Sequence, residues 1–307
     1  MKNKMVVILG PTATGKTRIA ALLANAVNGE IISADSRQVY KKMDIGTGKD
    51  LEDYIVNGRE IKAHLIDVVS AGEKYDVFRF KNDFESAYKL ITAKDKIPIL
   101  CGGSGMYLES ALGLYDLKKA ETDTIKRIEL EQMNNVELIS LLKSLKIIHN
   151  TTDLTDRDRL IRAVEIALAS EKVSGTVRES MYDNLPSTQF IYGIDLPRNV
   201  IKERIQSRLE KRLNNGMIEE VQKLMNEGVP TETLYYYGLE YRYISCYLSG
   251  EMSFTDMFNK LNIAIGQFAK RQMTWFRRME KRGIKITWLQ PDPDLFIKKV
   301  MNDIAGI

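Results

Sequence analysis

The stretch Gly10-Pro11-Thr12-Ala13-Thr14-Gly15-Lys16-Thr17 limits what this chain can fold into more than any other feature of it. It has the form GxxxxGK[ST]. A continuous apolar run, Met5 to Leu9, precedes it, and Ile19, Leu22, Leu23, Ala26 and Val27 follow at helical spacing. The pattern reads as strand, loop, helix. The glycines let the backbone curl until its N–H groups point inward at an anion, and the helix N-terminus behind them adds positive potential. Lys16 is expected to reach the terminal phosphate, and Thr17 to ligand a Mg²⁺ ion that keeps most of its waters. Gly10 to Thr17 as a whole is a candidate diphosphate- or nucleotide-binding element. It specifies a phosphate chain and leaves open what is done with it.

Further along, Ile31 to Ala34, His64 to Val69 and Ile97 to Cys101 read as buried strands, and Phe80, Phe84, Tyr88 and Ile91 mark a helix before the last of them. Strands alternating with helices predict the α/β class, a P-loop core with a parallel sheet covered on both faces. After about Leu117 the pattern changes. Amphipathic segments such as Val136 to Leu145 and Asp156 to Ala169 predict an inserted all-helical domain over residues 117–186. Phe190 to Ile194 then resumes as a strand closed by Pro197. Helical patterns follow over Val200 to Leu213, Ile218 to Glu227 and Thr255 to Met279, with a last strand at Ile284 to Leu289. The catalytic core is therefore expected over 1–116 and 187–307.

Hydrophobic residues at 44% and charged ones at 28% give the balance of an ordinary globular protein, and no apolar run approaches the ~20 residues that span a bilayer. The short apolar stretch near the N-terminus has no small-residue cleavage pattern, so the expected location is the cytoplasm. Cys101 and Cys246 are far apart and have no CxxC partner, which argues against a disulfide framework or a zinc site. A net charge of +4 does not announce a nucleic-acid partner, but its distribution is suggestive: Arg198, Arg204, Arg208, Arg212, Arg242, Lys270, Arg271, Arg277, Arg278, Lys281 and Arg282 are interleaved with Tyr and Trp. Arg204, Arg208 and Arg212 share one helix face, fit to clamp a phosphate group or to form a solvated stripe. Trp275 reads as a helix anchor in preference to a stacking surface, and Phe268, Phe276 and Trp288 read as core.

Asp35 closes the apolar strand Ile31 to Ala34, at the sheet edge where ligands bind in open α/β folds and where the phosphate loop also lies. Its natural task there is to take a proton from a nucleophile attacking the phosphate-bearing substrate. A strand-end cap or a partner to the metal's waters is the plainer alternative. Arg37 and Gln38 can hydrogen-bond a base edge, and Ser104, in the turn Gly102-Gly103-Ser104-Gly105, can fix the same nucleophile. The strand before that turn does not end in an acid, and the guanine-reading NKxD is absent. A P-loop kinase and a nucleotide-dependent RNA-binding switch both remain compatible with these residues.

GPTATGKT, SADSRQVY, MDIGTGK, AHLID and PILCGGSGMYL, in this order and spacing, resemble the bacterial tRNA dimethylallyltransferase (tRNA isopentenylpyrophosphate transferase) family. The likeness continues through Asp158 to Ala163, Gly193 to Arg198 and Phe268 to Arg277. It implies an enzyme that transfers a dimethylallyl group from dimethylallyl diphosphate to N6 of the adenosine 3′-adjacent to the anticodon, releasing pyrophosphate. By position it implies that Thr12 to Thr17 cradle the diphosphate with Mg²⁺ and that Asp35 is the general base, with Lys16 and Ser104 beside it. Contacts to the tRNA anticodon stem-loop are implied for Asp35, Ser36, Arg37, Gln38 and Ser104, and for Asp158, Arg159, Leu160, Ile161 and Arg162 in the helical insertion. The family further implies a monomer. Adenylate isopentenyltransferases share the loop and the Asp; the charged insertion argues against them, since a mononucleotide needs none. Ser104 stands where Thr is usual, Ala63-His64 where a His pair is familiar, and Asp158 where Gln is frequent. Tyr235 to Arg242 is richer in aromatics than the usual element.

Overall fold

The computed structural model describes residues 4–114, 124–145, 154, 157–172 and 188–306. These form two compact units, one within Met1–Tyr115 and Asn184–Ile307, the other within Asp116–Asp183. The first unit begins with β1 (Lys4–Leu9), α1 (Lys16–Val27) and β2 (Gly29–Ala34), and then has a short 3₁₀ turn, Leu51–Tyr54, leading into the hairpin β3 (Ile55–Val56) and β4 (Arg59–Glu60). Next come β5 (Ala63–His64), α2 (Val77–Thr92), β6 (Ile97–Gly102) and α3 (Gly105–Ala111). The sheet order is β5-β2-β6-β1 and continues through β7 (Thr188–Ile194) to β8 (Thr287–Leu289), with every pairing parallel.

The alternation of side chains along buried strands sorts the core into two layers. Met5, Val7 and Leu9 of β1 face one side with Ile32 and Leu100, and α2 and α3 cover them. Val6 and Ile8 face the other with Ile31 and Ile99, against α1. The segment from His64 to Val69 departs from expectation: only Ala63–His64 pairs as a strand. Leu65 and Asp67 take left-handed backbone (φ 63° and 54°), which ends an extended run, and Val68 and Val69 instead donate their N–H groups to the Val39 carbonyl.

The C-terminal part of this unit is helical: α7 (Arg198–Asn214), α8 (Met217–Asn226), α9 (Thr231–Tyr237), α10 (Leu239–Leu248), α11 (Phe254–Lys281) and α12 (Pro293–Ala305). In α11 the residues Leu261, Ile265, Ala269, Gln272, Phe276 and Met279 recur at helical spacing and are all buried. Phe268 lies off that stripe and is exposed, contrary to its reading as core. The α12 helix packs on the opposite face through Phe296, Val300 and Ile304.

The second unit holds α4 (Thr124–Gln132), α5 (Asn135–Leu145) and α6 (Arg157–Lys172), with Leu130, Leu138, Leu142, Leu160, Ile161 and Val164 as its core. Among the described residues no helix is long and apolar enough to cross a membrane.

Candidate active site

Three neighbouring strands, β2, β6 and β1, end side by side. Asp35 directly follows β2, Gly103 and Ser104 follow β6, and the phosphate loop follows β1. Parallel strands deliver all three turns to one sheet edge. There the Ser36 N–H donates to Ser104 Oγ (3.0 Å), the Ser104 N–H donates to the Ala34 carbonyl (3.2 Å), and the Arg37 N–H donates to Asp35 Oδ1 (2.9 Å). Asp35 and Ser104 are thus held in one frame, and the last bond orients the Asp35 carboxylate.

Within the loop, Ala13 and Gly15 adopt left-handed backbone (φ 65° and 81°), and Thr14 Oγ1 donates to the Pro11 carbonyl (2.9 Å), which also accepts from Lys16 Nζ (3.4 Å). Burial holds the Lys16 ammonium below the ordinary lysine range; Arg208 pushes the same way, while Asp35 and Asp50 oppose it. Placing a diphosphate opposite Lys16 would favour its charged form.

Two side chains from the C-terminal helices complete the site, and motif spacing had not assigned them. Gln272 of α11 accepts from the Thr12 N–H through Oε1 (2.8 Å) and donates from Nε2 to the Gly103 carbonyl (3.0 Å), tying the phosphate loop to the turn that carries Ser104. Its position on the buried stripe of α11 is the signal that could have found it: an amide facing a core must have partners. Arg208 of α7 donates to Thr12 Oγ1. Burial, with Arg212 beside it, lowers the Arg208 guanidinium to about 10. The shared face of Arg204, Arg208 and Arg212 was legible, but which of them turned inward was not. Arg212 takes both oxygens of Asp50 (2.9 and 3.0 Å), while Arg204 is exposed. Glu240, at the start of α10, is pushed up by burial and by Asp35, with Arg212 and Arg208 pulling it back.

Several expected RNA contacts need revision. Gln38 is buried, with its amide committed to the protein: Oε1 accepts from Ser33 Oγ and Nε2 donates to the Gly48 carbonyl, both at 3.0 Å, so its side chain is not offered to a base. Leu160 and Ile161 form the core of the helical unit, and their side chains cannot meet RNA. Asp158 and Arg159 on the same helix are exposed, and Arg162 is half-buried, pairing with Glu165 (2.8 Å). The Arg37 guanidinium lies 4.9 Å from the centre of the exposed Tyr236 ring, an accessible planar surface close to Asp35. Trp275 is half-buried against Gly105 with Arg278 stacked 4.0 Å above it, and Arg278 and Arg282 both pair with the buried Glu109.

Among the described residues no cluster of three or more His, Cys, Asp or Glu could hold a metal. Thr17, in the first turn of α1, offers a hydroxyl that would suit Mg²⁺, an ion that takes few protein ligands.

The family model described as IPP transferase matches residues 38–279, and that described as isopentenyl transferase matches residues 3–67. A tRNA dimethylallyltransferase 2 from Phocaeicola vulgatus is 50% identical over 98% of this chain and 97% of its own length. A solved full-length tRNA isopentenylpyrophosphate transferase from Bacillus halodurans is 30% identical, with a TM-score of 0.70 over 99% of this chain and 96% of that one. A eukaryotic dimethylallyltransferase acting on tRNA shares the fold, with a TM-score of 0.76 at 22% identity over 99% of this chain and 80% of that one.

Proposed function

The chain belongs to the IPP transferase family, the tRNA dimethylallyltransferases, and from that membership we propose that it transfers a dimethylallyl group from dimethylallyl diphosphate to N6 of the adenosine 3′-adjacent to the anticodon in tRNA. The observation that carries the reading is the frame that holds Asp35 and Ser104 at the same sheet edge as the phosphate loop.

The diphosphate lies in the loop Gly10 to Thr17, with Lys16 and Arg208 on its oxygens. Breaking the allylic C–O bond sends its electron pair to the departing pyrophosphate, so the demand is for positive charge at the leaving group. Mg²⁺ held by Thr17 supplies further charge neutralisation when bound. On the other side, the N6 lone pair forms the new C–N bond, and Asp35 accepts the proton that N6 gives up. Ser104 fixes the geometry of the Asp35 segment through the Ser36 N–H. To arrive there the adenine must leave the anticodon stack, and the Arg37–Tyr236 surface can shelter an unstacked base.

Incubation of an unmodified anticodon stem-loop with dimethylallyl diphosphate and Mg²⁺ should yield prenylated adenosine. Asp35→Asn should lower that rate by roughly 10²–10⁴-fold, the range for a general base, while stem-loop binding survives. Phosphoryl transfer from ATP without any allylic donor would support a kinase instead. An Asp35→Asn protein that prenylates at the normal rate would remove Asp35 from the mechanism.

A further inference from the structure

Glu220 of α8 gathers an unusual number of donors on one carboxylate. Its Oε2 accepts from the backbone N–H groups of Asp44 (2.7 Å) and Ile45 (2.8 Å), and its Oε1 accepts from the Gly46 N–H (2.9 Å) and the Tyr241 hydroxyl (2.7 Å). The loop 43–50 so held is also pinned from within. Lys49, fully buried, donates to the Tyr40 carbonyl (2.7 Å) and to Asp44 Oδ1 (2.6 Å). Asp50 then accepts from Arg212 Nη2 through both of its oxygens.

Two glycines make the fit possible. A Cβ on Gly46 would stand 2.7 Å from the Tyr241 ring, and one on Gly48 would stand closer still to the Arg212 guanidinium, so a side chain at either position displaces its partner. Arg212 lies one helical turn from Arg208, and Arg208 reaches Thr12 of the phosphate loop. Glu220 therefore holds the loop whose Asp50 pairs with Arg212, and Arg212 stands one turn from the arginine that reaches the phosphate loop.

We propose that Glu220 is a positioning residue for the diphosphate end of the reaction, shaping the 43–50 loop that seats Arg212 and, through it, Arg208. This rests on the reading that Gly10 to Thr17 hold a diphosphate. A carboxylate suits the task because all four partners donate: glutamine would turn its NH₂ on two of them, and aspartate falls one methylene short.

Steady-state kinetics of the full chain, with stem-loop and dimethylallyl diphosphate varied separately, test the assignment. Glu220→Gln should raise KM for dimethylallyl diphosphate roughly tenfold, the scale of a charge-assisted hydrogen bond, and leave KM for the stem-loop within about twofold. In an Arg212→Lys background the same change should add less than about twofold, because the two act through one path. Tyr241→Phe, which removes one donor of the four, should shift the diphosphate KM in the same direction by less, and it carries the test if Glu220→Gln does not fold. An unchanged diphosphate KM, an equal rise in both KM values, or a Glu220→Gln effect undiminished beside Arg212→Lys would overturn the proposal. Absence of transfer by the wild-type chain would strike the functional reading instead.

Discussion

Glu30 lies on β2 with a side chain 2% exposed, where a lone carboxylate would be costly. Burial pushes its pKa up, but hydrogen bonds from Lys96 and His64, with the charges of Lys96 and Lys94, override that and hold it at about 2. A folded-state value below the ordinary 4.5 means stability that is complete above that pH and lost as pH falls toward 2. The shift corresponds to about 3 kcal/mol. The wild-type protein should therefore lose about 3 kcal/mol more unfolding free energy than Glu30→Gln as pH falls from 4.5 to 2; parallel curves would contradict the assignment. At this scale the sequence was partly legible. Asp35 could be placed because an apolar run ended on it, whereas Gln38, three residues on, looked equally available. Whether a polar residue in a turn faces ligand or protein depends on what packs over it, and Gly48 and Ser33 are what occupy its amide.

Among elements, α11 bears most directly on the site. Its buried stripe brings Gln272 to both Thr12 and Gly103, so one side chain joins the phosphate loop to the turn that carries Ser104. Gln272→Ala should cost about 1–3 kcal/mol, read as a lowered unfolding midpoint, since it orphans two backbone partners. It should also raise KM for dimethylallyl diphosphate; a variant altered in neither respect would show that the bridge is dispensable. Elements with one clear period were legible: β1, the loop and α1, then α2 and β6. The strand expected from His64 to Val69 was not, because apolar residues that pack irregularly beside residues 38–41 carry the same hydrophobicity as a ladder. The α12 helix escaped notice although Asp292 caps it, accepting from the Leu295 N–H (3.0 Å), with Pro293 in its first turn.

For the molecule as a whole, the basic residues thought to mark an RNA partner divide by task. Arg278 and Arg282 answer Glu109, Arg212 answers Asp50, and Arg208 serves the phosphate loop, while Lys270, Arg271, Arg277 and Lys281 are exposed on α11. Charge counting along the chain could not separate them. The helical unit is a packed core of its own with exposed Asp158 and Arg159, machinery beyond what a mononucleotide acceptor requires. An adenosine within tRNA is the proposed acceptor. Its most direct test is mass analysis of nucleosides after parallel incubations of the protein, dimethylallyl diphosphate and Mg²⁺ with an unmodified anticodon stem-loop or with AMP. Dimethylallyl adenosine should appear at the position 3′ of the anticodon in the first and be absent from the second; efficient prenylation of AMP with an untouched stem-loop would contradict it.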